Sequence, residues 1–145
     1  MASSIQIYQS FRDYANAGVI DLTSTNIYLA LVLSSYTLDL TQTIWSQVSG
    51  NEVLAGSGYT TGGNNLTSSN VGYTGATANW TAANVTWTTL TKTFRYGVLY
   101  LLGTVKTIVN PLIAVILFNT APADIVVSGV DFTVIWNAAG IFSWS

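Results

Sequence analysis

Cysteine and histidine are both absent, and charge is scarce: four Lys or Arg and six Asp or Glu make up 7% of 145 residues. Without thiols or imidazoles there is no disulfide, no thiolate nucleophile, no His general base and no Ser-His-Asp triad, and most zinc sites are ruled out too. The missing cysteine leaves the redox compartment open, because a reducing interior and a cysteine-free exterior look alike. Ordinary soluble domains carry about 25% charged residues. Polar uncharged side chains, or surfaces covered by partners, must therefore keep this molecule from its neighbours. A net charge of -2 offers no basic footprint, so nucleic acid is not an expected partner.

Long apolar runs are missing as well. Mean hydropathy is +0.44, yet the greasiest region, Val98 to Phe118, is interrupted by Lys106, Asn110 and Pro111. Its clean part runs only from Leu112 to Phe118, well short of the roughly 20 residues a spanning helix needs. The start, Met1-Ala-Ser-Ser-Ile, has neither a basic n-region nor an apolar h-region and does not read as a signal peptide. No membrane partner is expected.

The carboxylates Asp13, Asp21, Asp39, Glu52, Asp124 and Asp131 are scattered singly, mostly at turns, where such groups cap backbone N–H groups. A glycosidase-like pair built on Glu52 and one Asp is conceivable, but the spacing favours capping. No Asp-x-Asp cluster supports calcium. The expectation is a protein that is not an enzyme and has no metal and no cofactor. Glycines 50, 56, 58, 62 and 63 lack the Lys and helix of a phosphate-binding loop and read as turn glycines. Asn65-Leu-Thr67, Asn79-Trp-Thr81 and Asn84-Val-Thr86 match the glycosylation acceptor pattern. They read as chance matches in a chain rich in Asn and Thr.

What is present is periodicity. At this length one domain, residues 1–145, can bury a sizeable core. Residues 5 to 17 have helical spacing, with Ile7, Phe11 and Tyr14 on one side, Ser3 or Ser4 as cap and Gly18 as stop. Thr25 to Ser34 alternates: Ile27, Leu29, Leu31 and Leu33 line one face, Tyr28, Ala30 and Val32 the other. Apolar residues on both faces predict a central strand or a subunit contact. Tyr59-Thr60-Thr61 is a short strand among the glycines, and Val71 to Thr91 gives Thr-rich strands. In Phe94 to Tyr100, Phe94, Tyr96, Val98 and Tyr100 share a face. Gly103 to Asn110 is a loop, and Pro111 opens a strand that is apolar on both faces. Turns follow at Pro122-Ala-Asp124 and Ser128-Gly129. The last strand puts Val130, Phe132, Val134 and Trp136 on one side, which makes Trp136 core. About seven or eight strands and one short N-terminal helix define a mainly β chain, a jelly-roll-like antiparallel β-sandwich.

Five Trp and eight Tyr could form a sugar-stacking platform, although aromatics in a β-protein more often fill the core or anchor interfaces. Trp45, Trp80 and Trp144 lie in loop-like or terminal contexts and are free to bind something. With Ile7, Tyr8, Phe11 and Tyr14 of the predicted helix they make the candidate interface.

Several stretches, taken in order, resemble the capsid cement or decoration proteins of tailed bacteriophages. They are Tyr8-Gln-Ser-Phe11, Gly18-Val-Ile-Asp-Leu22, Leu33-Ser-Ser-Tyr-Thr37, Asn51-Glu-Val53 and Gly58-Tyr-Thr-Thr-Gly-Gly63. They continue with Arg95-Tyr-Gly-Val-Leu-Tyr100, Pro111-Leu-Ile113 and Phe132-Thr-Val-Ile-Trp-Asn-Ala-Ala-Gly-Ile-Phe142. The likeness spans nearly the whole chain. It departs from the family pattern in the greasy Leu99-Tyr-Leu-Leu102 and Ala114 to Phe118 runs, where relatives usually carry more Asp and Lys. The resemblance implies a virion structural protein made in the host cytoplasm. It would sit on the capsid exterior and bridge major capsid protein subunits as a homo-oligomer, a dimer or trimer. The alternative expectation is a virion receptor- or carbohydrate-binding β-sandwich.

Overall fold

Ile27–Val32 holds the middle of the molecule because neither of its faces can be left in water. The computed structural model describes residues 3–144. In it this strand, β2, belongs to a five-stranded antiparallel sheet with β1 (Ser4–Ile7), β3 (Asn64–Asn65), β7 (Tyr96–Leu101) and β10 (Leu112–Leu117), in the order β1-β10-β7-β2-β3. Ile27, Leu29 and Leu31 enter one hydrophobic cluster, and Ala30 and Val32 enter a second on the opposite face. A bulge between Leu112 and Ala114 in β10 turns Ile113 and Ala114 toward the first cluster while Leu112 and Val115 serve the second. One extra residue therefore lets an apolar run satisfy two cores.

The layer facing the first cluster is built on β6 (Val85–Phe94) paired with β11 (Ile125–Val134). It is joined by a three-stranded sheet of β4 (Asn70–Thr74), β5 (Thr77–Thr81) and β12 (Phe142–Trp144), in the order β12-β5-β4. In β6 the buried residues change parity, Val85 and Trp87 before the middle, Leu90 and Phe94 after it. Thr88-Thr89 forms a bulge, with Thr89 at φ 49°, and it restores the inward face after the parity change. Asp131 accepts from the bulged Thr89 N–H at 2.9 Å, so the kink leaves no orphaned donor.

The mainly β antiparallel sandwich with one short helix is the fold expected from the sequence. Several local expectations need correction. Helix α1 spans only Gln9–Asn16, because residues 4–7 pair with β10 instead. The edge of β10 needs a partner, and Tyr8 N–H extends that ladder to Ile113 O at 3.1 Å. Tyr8 is therefore the helix N-cap residue, without a side-chain cap, in place of Ser3 or Ser4. The stop at Gly18 holds, with φ 70° there and Val19 N–H closing on Tyr14 O at 2.8 Å. Residues 59–61 form a bridge and a turn, not a strand. The segment 103–110 contains a small hairpin, β8 (Thr104–Val105) with β9 (Ile108–Val109).

Arg95 separates β6 from β7, so Phe94 joins the first cluster while Tyr96, Val98 and Tyr100 meet the second. Ser128-Gly129 is a bulge inside β11 and not a turn. Strand β11 ends at Val134, so Trp136 lies beyond it, only partly buried, and Val130 is 58% exposed.

The second cluster explains where the other faces of β2 and β10 go. Tyr36, Trp45 and Val48, from an irregular segment containing two short 3-10 turns, cover it together with Tyr8. Trp45 stacks flat on Tyr100, with centroids 4.5 Å apart and planes 4° from parallel. Two-faced apolar strands are thus sealed within one chain, and need no neighbouring subunit for cover.

Candidate functional site

Two polar networks fasten the loops over this core. Glu52 accepts from Tyr59 OH and from Gly62 N–H, both at 2.6 Å, while Tyr59 OH accepts from Leu31 N–H at 3.1 Å. Tyr100 OH donates to Gly62 O at 2.8 Å. The glycine-rich segment is thereby pinned to β2, and Gly63 is obligatory there: a Cβ would lie 2.0 Å from Leu29 O. Tyr8 OH lies 3.0 Å from Tyr36 OH, which donates to Gln42 Oε1 at 2.6 Å. Burial, and then these hydrogen-bond partners, push the Tyr8 and Tyr59 phenols far above their usual range. Burial followed by the Glu52 charge does the same to Tyr100.

The remaining polar groups named above are also structural. Asp21 and Asp39 each bind a Thr hydroxyl and backbone N–H two residues on, and those hydrogen bonds hold both carboxyls below the usual range. Asp124 pairs with Arg95 at 2.9 Å. Among the described residues no three acidic groups converge. Asn65 Nδ2 donates to Thr25 O and Ile27 O, Asn79 Nδ2 to Ala139 O, and Asn84 Oδ1 accepts from Trp136 N–H. All three acceptor-pattern asparagines are engaged by their own chain.

Four of the seven candidate interface residues are used in the interior: Tyr8 and Trp80 are 0% exposed, Phe11 6% and Trp45 8%. Trp80 belongs to strand β5, where its Nε1 donates to Ser69 Oγ at 2.8 Å. Ile7 and Tyr14 are partly buried. Ile7 lines a hollow under α1 of about 600 Å³, with Phe11, Leu22 and Phe142. The side chain of Trp144 lies outside the described part.

A second cleft lies elsewhere, at one open side of the sandwich, and has a volume of about 480 Å³. Its walls come from both layers: β1 and the end of β10 on one side, β11 and the segment after it on the other. Ile116, Phe118, Ile125 and Phe132 supply apolar wall, and Trp136 and Asn137 also line it. None of the lining side chains is charged. Trp136 is held twice, through its backbone N–H to Asn84 Oδ1 at 3.3 Å and its indole N–H to Ala83 O at 3.0 Å. Among the described residues each flanking strand is paired along one edge only, β1 with β10 and β11 with β6.

The alternation of Val130 to Trp136 concealed this cleft by assigning Trp136 to the core. The available signal was the break Asn137-Ala-Ala-Gly140. Gly140, at φ 113°, returns the chain so close to Trp80 O that a Cβ would sit 2.7 Å from it. Trp136, before that return, lines the cleft.

Compared with models of known families, with characterised proteins and with solved structures, the chain matches none. Among the described residues no helix is long and apolar enough to cross a membrane.

Proposed function

We propose that this chain is a structural virion protein, a cement or decoration protein that binds the outside of a bacteriophage head and bridges major capsid subunits. The observation that carries the reading is the exposed face of the edge strand β11. Val126 and Val130 are 73% and 58% exposed along it, and Ile135, just past its end, is 73% exposed. Natural edge strands are normally shielded by charge, above all by Lys. Here the strand's one acid, Asp131, is already tied to Thr89. An apolar, charge-poor edge fits a surface that is covered in use. Self-association into a dimer or trimer belongs to the same reading, because repeated modest contacts on a lattice add through avidity.

Co-sedimentation with purified shells lacking the chain tests it. The protein should pellet with shells, and the double substitution Val126→Lys with Val130→Lys should lower occupancy without lowering the melting temperature. Failure of the unaltered protein to pellet with its own virus's shells would sink the proposal.

A further inference from the structure

We infer that the cleft between β1 and β11 is a binding site for a neutral saccharide that stacks on Trp136. The inference is independent of where in a particle the protein sits.

The lining sets the ligand chemistry by elimination. An uncharged, half-apolar cleft has nothing to compensate the desolvation of an ionic ligand, so phosphates, carboxylates and amines are disfavoured. A purely aliphatic ligand would leave the polar groups of the lining unused. Ser3 and Ser4 bring hydroxyls at one end of the cleft. Asn137 Oδ1 is taken by Ala139 N–H at 2.9 Å, which leaves its Nδ2 as a donor. A pyranose has the complementary make-up, with C–H groups on its ring faces and hydroxyls around its rim.

Trp136 suits the stacking role because its indole N–H is already satisfied. With backbone N–H and indole N–H both bonded within the chain, what its side chain offers a ligand is ring surface. The indole bond to Ala83 O holds the ring before any ligand arrives, and that lowers the ordering cost of binding. The volume, about 480 Å³, falls in the range of small-ligand sites, roughly 300–1,000 Å³. Of the tryptophans whose sequence context suggested sugar stacking, Trp45 and Trp80 are buried; the residue assigned to the core lines the cleft.

Titration of the whole protein with maltotriose and with tri-N-acetylchitotriose, followed by amide and indole NMR shifts, tests the inference. Trigalacturonate serves as an acidic control and a neutral apolar peptide as the rival occupant. The expected result is saturable shifts with a neutral sugar at the Trp136 indole and the Asn137 side-chain amide. Trp136→Leu, which keeps apolar bulk but removes the ring, should weaken that binding at least about tenfold, and Trp136→Tyr should recover part of it. No saturable shift with either neutral sugar would overturn the inference. So would binding unchanged by Trp136→Leu, stronger binding of trigalacturonate, or occupation of the cleft by the peptide alone.

Discussion

Replacing Trp80 and Trp136 separately by alanine should give unequal losses of stability, and the inequality tests how the core is drawn. Trp80 is fully buried. Its ring meets Phe142 edge-on at 5.1 Å, its Nε1 donates to Ser69 Oγ, and Ser69 in turn bonds Leu22 O. Removing a buried Trp costs about 3–5 kcal/mol in lost transfer and cavity energy. The Ser69 hydroxyl loses its donor but keeps Leu22 O as acceptor, so it adds little to that loss of about 3–5 kcal/mol. Against a typical domain stability of about 5–15 kcal/mol, the mutant would be close to unfolding. Trp136 is only partly buried and packs at the margin of the first cluster, so its removal should cost about 1–2.5 kcal/mol, roughly half the value for a buried ring. Urea unfolding of both mutants measures the difference. A Trp136→Ala loss equal to or larger than that of Trp80→Ala would refute the assignment and restore Trp136 to the core.

Glu52→Ala should destabilise by about 2–4 kcal/mol. It leaves the Gly62 N–H and the Tyr59 hydroxyl without their charged acceptor, and hydrogen bonds to charged groups contribute about 1.5–3 kcal/mol each, not additively. Proteolysis should then cut first near residues 54–62, and an unchanged cleavage pattern would count against the latch. Alkaline pH gives a third outcome. Tyr8, Tyr59 and Tyr100 are raised above their ordinary 10.0, so above that pH the unfolded chain releases protons that the folded chain retains. Stability from these groups is complete below pH 10 and lost as pH rises further, by up to about 1.4 kcal/mol per pH unit for each tyrosine. Melting followed between neutral and strongly alkaline pH should fall only at the upper end. A flat profile would mean that the phenols are not sealed.

The parts of this fold that were legible in the sequence are those governed by local pattern. Ile27 to Val32 and Leu112 to Leu117 declared two buried faces through unbroken apolar alternation, and Gly18 declared the end of α1. The missed parts answer to partners distant in the chain. Nothing local says that Ser4 to Ile7 must extend along β10 in preference to lengthening a helix; the need comes from an edge more than 100 residues away. Bulges blur the period of two: Gly129 looks like a turn until its neighbours on β6 are known. The cover supplied by Tyr36, Trp45 and Val48 has no period at all, so the two-faced strands pointed to a subunit contact that the chain's own irregular segment replaces. The seam cleft was hidden for a related reason, because alternation carries on through Trp136 although pairing with β6 stops at Val134.

The central proposal is that this chain sits on the outer surface of a virus head, and a density map of virus particles that carry it tests that proposal most directly. The account predicts a sandwich-shaped density repeated with the symmetry of the shell, seated on the outside across neighbouring shell subunits, with the exposed face of β11 turned into a contact. Density for the chain only at the tail would contradict the account.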